Sequence, residues 1–320
     1  MELKDRYRIK RKKAFQRERI PGWIRTRRCL HPVLIRAIKL ARVAGKQKLH
    51  VIKDDRNPSN KPIVYACNHI GWDDIQMTFE AIQDHAWLFW GNPEYRTPHY
   101  YVLMGNGAVC VDSYDKEDRR IAKETAIRLL KAGESLLIYP EGAWNAISNL
   151  PVMKLFPGAA EIAILSGAEI VPIGIAQNGP NEYCVSIGRN FPTYGYSVSE
   201  KWVLTEKLRD LIAKEVWNTW EALPLAKRAD LPRNAQQAFE DFLSSQMHGA
   251  FTMVEVHRER FHDEKEREAD EAFRHLGDLA VSRRNSFLMN KRCSGYLTFH
   301  GCRSSTYNYC KMGGDDNEHQ

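Results

Sequence analysis

The chain lacks the features that mark secreted, disulfide-linked and membrane-spanning proteins. Its seven cysteines are scattered, without the paired spacings of a disulfide framework or a zinc ribbon. The first twenty residues are basic and contain no apolar run, so they do not resemble a secretory signal. No window approaches the roughly 18 uninterrupted apolar residues that a spanning helix needs. We therefore expect reduced cysteines and a cytoplasmic location, with attachment to a membrane surface as the remaining option.

Basic charge is concentrated at one end of the chain. Residues 1–50 hold 17 Lys or Arg against three acids, a net of +14, whereas the remainder holds 30 bases and 37 acids, a net of −7. Such a patch suits an anionic surface, either a membrane leaflet or a nucleic acid. The segment VLIRAIKLARVAGK, which follows Pro32, has an apolar side and a cationic side at helical period, as interfacial helices do. A helix packed on its own domain explains that pattern equally well, and no interleaved aromatic residues favour nucleic acid.

From residue 61 the pattern alternates between strands and helices. The predicted strands are PIVYAC, AWLFW, GAVCVD, SLLIYP, EIVPIGIA and YCVSIG, and the helices are DDIQMTFEAIQ, EDRRIAKETAIRLLKAG and GAAEIAILSGA. This order predicts an α/β fold with a central, largely parallel sheet flanked by helices. Ligands bind such sheets at the carboxyl ends of the strands, where His69 and Glu141 are expected.

Composition divides the chain into three regions. Residues 1–50 are predicted to form basic, amphipathic, membrane-associating helices, broken after Pro21-Gly22 and again near Pro32. Residues 51–230 form the α/β domain. Residues 231–320 are predicted to be a helical extension, running from Asn234 to about Leu279, and a poorly ordered tail. The tail contains four residues that could bind a metal: Cys293, His300, Cys302 and Cys310. Their spacings fit no common metal site, so we predict no metal.

The segment VYACNHIGWDDIQ places a histidine and an aspartate around a turn from strand to helix. His69 follows the strand, and Asp74 stands five positions later, where the next helix begins. An aspartate there can be a simple helix cap, as can Asp73. In a functional arrangement, its carboxylate holds one imidazole nitrogen and leaves the other as a general base.

Four segments in order resemble the blocks of the glycerolipid acyltransferases, the 1-acylglycerol-3-phosphate acyltransferase family. NHIGWDD resembles the Asn-His-x4-Asp signature, GNGAVCVD the second block, YPEGAWN the Pro-Glu-Gly block, and EIVPIGI the fourth block with Pro172. The resemblance, together with the segment LFPGAAEIA, covers about residues 50–195. It implies an acyltransferase fold for the domain of residues 51–230.

The resemblance also implies a reaction and a set of site residues. His69 would deprotonate an acceptor hydroxyl that attacks the thioester of acyl-CoA or an acyl-carrier protein, while Asp74 holds the imidazole. No cofactor or metal is needed beyond the donor substrate. The expected acceptor is a lysolipid at the cytoplasmic face of an anionic membrane. The predicted substrate-binding residues are Asn68, Gly107, Ser113, Glu141, Gly142, Trp144 and Asn145.

Two positions depart from the family pattern. An arginine usually follows the aspartate of the second block and the Glu-Gly-Thr of the third, and these arginines are understood to hold the acceptor's phosphate. Here the positions are Ser113 and Trp144, and an indole cannot replace a guanidinium as a bidentate phosphate donor. The departures predict a less charged acceptor than lysophosphatidate. A cation from elsewhere would restore the phosphate site, and the candidates are Arg96, Arg119 and Lys154, with Arg120 nearby in sequence.

Other interpretations remain open on the sequence alone. Cys67 and His69 are two residues apart, so a Cys–His dyad with a covalent acyl-enzyme is an alternative mechanism. A catalytically silent, membrane-surface lipid-binding protein on the same fold is an alternative function. A nucleic-acid-binding protein is a third class, but no recognition motif accompanies the basic terminus. The sequence does not specify an oligomeric state.

Overall fold

The computed structural model describes Arg6 and residues 20–71, 73–91, 98–113, 115–145, 150–177, 181–222 and 263–276. Among these residues, no helix is long and apolar enough to cross a bilayer. The tail residues Cys293, His300, Cys302 and Cys310, for which no metal site is predicted, lie outside the described residues, as does most of the predicted helix after Asn234.

The centre of the fold is a seven-stranded sheet with the order β1-β7-β6-β2-β5-β3-β4. All neighbouring pairs are parallel except β6 and β7, which are joined by a short connection and run antiparallel. The largely parallel α/β sheet is therefore confirmed. The strands are β1 Lys48–Asp54, β2 Ile63–Cys67, β3 Ala86–Gly91, β4 Ala108–Val111, β5 Ser135–Ile138, β6 Glu169–Gln177 and β7 Glu182–Ile187.

Helices connect the strands and cover both faces of the sheet. They are α1 Ile20–Ala44, α2 Asp74–Ile82, α3 Pro98–Asn106, α4 Lys116–Lys131, α5 Gly158–Ser166, α6 Lys201–Ala222 and α7 Asp263–Ala272. One short 3₁₀ turn, Val198–Glu200, precedes α6, and another, Arg274–Leu276, follows α7. At the 3₁₀ turn before α6, Ser197 and Glu200 form a capping box.

Alternate residues of the central strands enter two separate apolar layers, because side chains alternate across a strand. Val64 and Ala66 of β2 face a core that also contains buried residues of α4, α5 and α6. Tyr65 and Cys67 face the opposite core, which contains buried residues of α1, α2 and α3. The sheet is thus sandwiched between two helical layers, and the strand ends are left to form a site.

The N-terminal region differs from the two short segments that the sequence predicts. α1 runs without interruption from Ile20 to Ala44 and includes Pro32. A proline inside a helix costs about 3 kcal/mol, because it removes a hydrogen bond and crowds the preceding turn. Contacts with the domain offset this cost: the His31 ring bonds to Asn106 Oδ1 at 2.8 Å, and Leu34 and Ile38 are buried. The prediction of a break near Pro32 was wrong because it neglected this packing.

Candidate active site

The carboxyl end of β2 presents His69, and the following loop returns to α2 at Asp74. His69 Nδ1 lies 2.7 Å from Oδ2 of Asp74, whose side chain is completely buried. The same oxygen accepts hydrogen bonds from the backbone N–H groups of Ile70 at 2.6 Å and Gly71 at 3.1 Å. The Asp74 carboxylate therefore holds both the backbone of the loop and the imidazole of His69. Asp73 occupies the helix N-cap, and its side chain makes no cap hydrogen bond.

The Asp74 contact decides which nitrogen of His69 is available for chemistry. A carboxylate accepts, so Nδ1 donates its proton and Nε2 carries the lone pair of the neutral ring. The His69 side chain is 17% exposed, so the ring is sheltered yet reachable. The described part of the chain places no hydrogen-bond partner on Nε2. This is the geometry of a general base with an orienting carboxylate.

Glu141 holds the backbone of His69. Its side chain is fully buried, with one oxygen accepting the His69 N–H at 2.8 Å and the other accepting the Met153 N–H at 2.7 Å. Asn145 acts from the same loop: its N–H donates to the His69 carbonyl at 2.7 Å. The Pro-Glu-Gly block thus fixes the peptide groups on both sides of the catalytic candidate.

Arg209 of α6 lies close to this buried carboxylate and is not among the site residues predicted from the sequence. The guanidinium donates to the Val152 carbonyl at 3.1 Å and is attracted by Glu141. Burial lowers the pKa of Arg209, and Asp210 and then Glu141 counteract part of that effect. The sequence does contain one indication of this contact: Arg209 lies on the face of α6 that buries Leu208 and Ile212, where a charged residue needs a partner.

Three residues predicted to bind substrate occupy structural positions. The Asn68 amide donates to the Ile175 carbonyl at 2.9 Å and accepts from its N–H at 2.8 Å, which extends the β2–β6 ladder by a side chain. Gly107 and Gly142 have φ values of +120° and +72°, and a Cβ would clash with the Trp87 and Phe156 rings respectively. Their role in substrate binding stays a prediction.

The two departures from the family pattern lie at different distances from the base. The Trp144 indole makes an edge contact with the His69 ring, with ring centroids 6.2 Å apart. Ser113 follows β4, which is separated from β2 by β5 and β3. Three strand spacings of about 4.8 Å place it roughly 14 Å away across the sheet. The Ser113 carbonyl accepts a hydrogen bond from Arg119 Nη1 at 2.5 Å.

Cys67 is buried beneath the site. Its Sγ has Thr78 Oγ1 at 3.8 Å and Asn68 Oδ1 at 3.9 Å, and the side chain has no exposed surface. Burial, followed by the nearby Asp74 carboxylate, raises the pKa of the thiol well above its usual value. A nucleophilic cysteine needs a lowered pKa, so these surroundings do not favour the Cys67–His69 alternative.

Another aromatic ring completes the surroundings of His69. Tyr139 follows β5 directly, and its ring lies face to face with the imidazole at a centroid distance of 4.5 Å and a tilt of 34°. Tyr139 is not among the site residues predicted from the sequence. The structure thus brings together His69, Asp74, Glu141, Asn145, Trp144 and Tyr139.

Comparison with known proteins identifies the domain. Residues 48–176 match the family model described as Acyltransferase. A 1-acyl-sn-glycerol-3-phosphate acyltransferase of Chlamydomonas reinhardtii is 24% identical over 133 residues, which are 40% of this chain. The match spans only 38% of that relative's length.

A solved structure shares the fold. It is the crystal structure of PlsC from Thermotoga maritima, a 1-acyl-sn-glycerophosphate acyltransferase, which aligns with a TM-score of 0.52 and 15% identity. The alignment covers 69% of this chain and 89% of that chain. The family-model match over residues 48–176 contains His69, Asp74 and Glu141. Residues 48–176 of this chain are thus similar to the Acyltransferase family, and the fold around them is that of the solved acyltransferase.

Proposed function

We propose that the protein moves a fatty acyl group from acyl-CoA or an acyl-carrier protein to a hydroxyl of a lysolipid-type acceptor. The observation that carries this proposal is the 2.7 Å contact between His69 Nδ1 and the buried Asp74 carboxylate. It leaves Nε2 as the basic nitrogen at the carboxyl edge of the sheet, where ligands of open α/β folds bind. The family of the domain supports the same reaction.

The proposed chemistry is one acyl transfer. Nε2 of His69 takes the proton of the acceptor hydroxyl as its oxygen attacks the thioester carbonyl. Asp74 stabilises the imidazolium that forms. When the tetrahedral intermediate collapses, the carbon–sulfur bond breaks and the thiolate leaves. A thiol has an ordinary pKa of about 8.5, so its thiolate leaves readily and can then take the proton from His69. No cofactor or metal enters this scheme.

The direct test is product analysis by mass spectrometry. Purified protein is incubated with acyl-CoA, or with acyl-carrier protein, and a panel of lysolipids. We expect a product heavier than the acceptor by one acyl group, with release of free thiol. The matched control is His69→Ala, which removes the base. Absence of product with every donor and acceptor, from folded protein, would reject the proposal in favour of the non-catalytic lipid-binding alternative.

The acceptor proposed here carries no free terminal phosphate. Trp144 faces the base where the family has an arginine. Of the cations that could replace it, Lys154 is paired with Asp270 and Arg119 donates to the Ser113 carbonyl. Arg96 lies outside the described residues. Each lost charge-assisted bond costs about 1.5–3 kcal/mol, so two losses lower affinity for a phosphomonoester by a factor of hundreds.

The acceptor proposal is tested by comparing kcat/KM for lysophosphatidate, a zwitterionic lysolipid and a neutral glycolipid under one set of conditions. We expect lysophosphatidate to be the poorest. Trp144→Arg should raise kcat/KM for lysophosphatidate relative to the other acceptors. A clear preference of the wild-type protein for lysophosphatidate would reject this part and leave the acyl transfer proposal standing.

We further propose that α1 attaches the protein peripherally to the cytoplasmic face of an anionic membrane. Its buried side contains Leu34 and Ile38, whereas its outer side exposes Val33 and Leu40, with Arg36 exposed beside them. Apolar insertion and cationic attraction together suit an anionic bilayer, with about 1 kcal/mol for each basic residue near the surface. The basic charge of residues 1–50 supports the same partner.

The test for membrane binding is sedimentation with vesicles of anionic or zwitterionic lipid over a salt series. We expect binding to anionic vesicles that weakens with salt and is lost in Val33→Glu/Leu40→Glu. Val203→Glu on α6 is the matched control, because Val203 is 59% exposed and Val33 is 60% exposed. Point variants are preferable to deleting the N-terminal residues, since α1 is packed into the core. Unchanged binding of the double variant, or preferential binding to duplex DNA, would reject this attachment.

A further inference from the structure

The hydrogen bond from His69 to Asp74 restrains Nδ1, and the Cβ–Cγ bond restrains the other side of the imidazole. Coupled changes of χ1 and χ2 can still tilt the ring while Nδ1 stays close to the carboxylate. Tilting moves Nε2, which sits at the far side of the ring, by the largest amount. General-base catalysis requires Nε2 within hydrogen-bond reach of the acceptor hydroxyl. A second contact that restrains the ring plane is therefore needed for accurate proton transfer.

Tyr139 makes that second contact. Its ring covers a face of the imidazole, with centroids 4.5 Å apart and planes 34° from parallel. Offset and tilted stacking at this separation is favourable between aromatic rings. Trp144 meets the imidazole by an edge at 6.2 Å with planes at 89°, so it limits sliding of the ring but not its tilt. The two aromatic contacts act on different motions.

Tyr139 is itself buried, and its backbone is hydrogen-bonded. It follows the last residue of β5, its carbonyl accepts the Gly142 N–H at 3.1 Å, and only 8% of its surface is exposed. Thr78, Cys67 and the Asp74 carboxylate surround its hydroxyl. Burial, followed by the Asp74 charge, raises the pKa of the phenol well above its usual value. Tyr139 thus presents a neutral, buried ring beside His69.

We propose that Tyr139 is a positioning residue, whose ring holds the imidazole plane of His69 so that Nε2 points at the acceptor hydroxyl. This inference rests on the proposed acyl transfer for its kinetic consequence. The contact between the rings is independent of that function. The proposed restraint comes from the aromatic ring and not from the hydroxyl. Phenylalanine should therefore substitute for Tyr139, and an aliphatic residue should not.

The kinetic test compares Tyr139→Phe with Tyr139→Leu. We expect Tyr139→Phe to keep kcat close to that of the wild type. Tyr139→Leu should lower kcat roughly 10- to 100-fold with little change in KM, since displacing a reacting group by about 1 Å costs up to 10²-fold. The matched control is Tyr100→Leu: Tyr100 is 7% exposed and makes ring contacts with Trp90 and Tyr101 instead of with His69. It should lose stability without the fall in kcat.

A second readout separates this inference from the proposed function. The His69 Nδ1 proton, shared with buried Asp74, should give a downfield proton resonance that His69→Ala removes. We expect the resonance to persist in Tyr139→Phe and Tyr100→Leu and to broaden or shift in Tyr139→Leu. That pattern supports the inference even where the wild-type protein transfers no acyl group. An unchanged resonance in folded Tyr139→Leu, or a kcat equal to that of Tyr100→Leu, would overturn it.

Discussion

Two histidine–carboxylate pairs stand at opposite edges of the same sheet. At the carboxyl edge, His69 meets Asp74 at 2.7 Å. At the amino edge, His85 precedes β3 and its Nδ1 lies 3.1 Å from Glu134, which precedes β5. Both carboxylates are buried. Their immediate chemistry is similar, yet only the first pair lies in the family's signature.

The difference lies in the second nitrogen of each ring. His85 Nε2 contacts the Asn106 carbonyl at 2.9 Å, so both of its nitrogens face oxygen atoms. The carboxylate is shared as well: Glu134 also accepts the Trp87 indole N–H at 3.0 Å and pairs with Arg28 of α1. This second cluster fastens α1 to the sheet. A histidine–carboxylate pair acts as a base only where the remaining nitrogen faces substrate.

The largest expected effect separates the two histidines. His69→Ala should abolish acyl transfer, or lower it by at least the roughly 10²–10⁴-fold that general-base catalysis contributes, with the fold intact. His85→Ala should keep kcat and lose stability, because Glu134 and the Asn106 carbonyl lose a partner. Initial rates and thermal unfolding curves of both variants decide the matter. Near-normal turnover of folded His69→Ala would remove the distinction.

The next effect concerns the carboxylate at the carboxyl edge. Asp74→Asn should lower kcat roughly 10²–10⁴-fold, because a neutral amide neither fixes the tautomer nor stabilises the imidazolium. The substitution also replaces an oxygen that accepts two backbone N–H groups, so folding should be checked by circular dichroism. The comparison variant is Asp73→Asn, which alters the neighbouring carboxylate and should retain most activity. Equal rates for the two variants would contradict the assigned role of Asp74.

A smaller effect is expected at the amino edge, on stability instead of rate. Burial acts to raise the pKa of Glu134, but interactions with His85 and Trp87 outweigh it, so the pKa lies below its ordinary value. The folded pKa is the lower one, so the charged carboxylate stabilises the fold above the ordinary value of 4.5 and this contribution is lost as the pH falls through the folded pKa.

Glu134→Gln should therefore lower the free energy of unfolding by about 1.5–3 kcal/mol at pH 7, the usual contribution of hydrogen bonds to a charged group. The deficit should shrink as the pH falls below 4.5, while kcat at pH 7 stays near that of the wild type. Urea unfolding of both proteins at several pH values measures it. A deficit that does not change with pH would show that shape, not charge, matters at this position.

The smallest effect is expected at Cys67. Cys67→Ala should leave kcat within about twofold of the wild type, because the thiol is buried with a raised pKa and plays no part in the proposed transfer. A steady-state assay, with a search for an acyl-protein adduct in the wild type, provides the measurement. A folded but inactive variant, together with an acyl-Cys67 adduct, would instead favour the covalent alternative.

The contact between His69 and Asp74 could be predicted from the sequence, because the two residues are close in the chain and share a local motif. The strand before His69 and the helix after Asp74 have clear patterns of apolar residues, so the position of the loop between them could be predicted. Glu141 was placed at the correct edge, but its two backbone hydrogen bonds depend on how distant loops meet. Arg209 and Tyr139 were missed for the same reason, since neither carries a local signal of contact with the site.

The fold shows a parallel division between local and distant information. β1 was not predicted, because KLHVIKD has polar residues on both faces and gains its place by pairing with β7, more than 130 residues later. The helix through Pro32 was not predicted either, because its stability comes from contacts of His31 and Leu34 with the domain. Local periodicity identified elements, and tertiary contacts decided their extent.

The Asn68 side chain has a consequence for the order in which the molecule forms. Its amide is bonded to a residue 107 positions away, and the Glu141 bond to the His69 backbone spans 72 positions. Contacts between residues so far apart in the chain form slowly, because loop closure must precede them. During synthesis, the His69–Asp74 loop emerges early but lacks both supports until β5 and β6 have followed. The His69–Asp74 pair is thus encoded near the beginning of the domain and gains its full support only when the sheet is nearly complete.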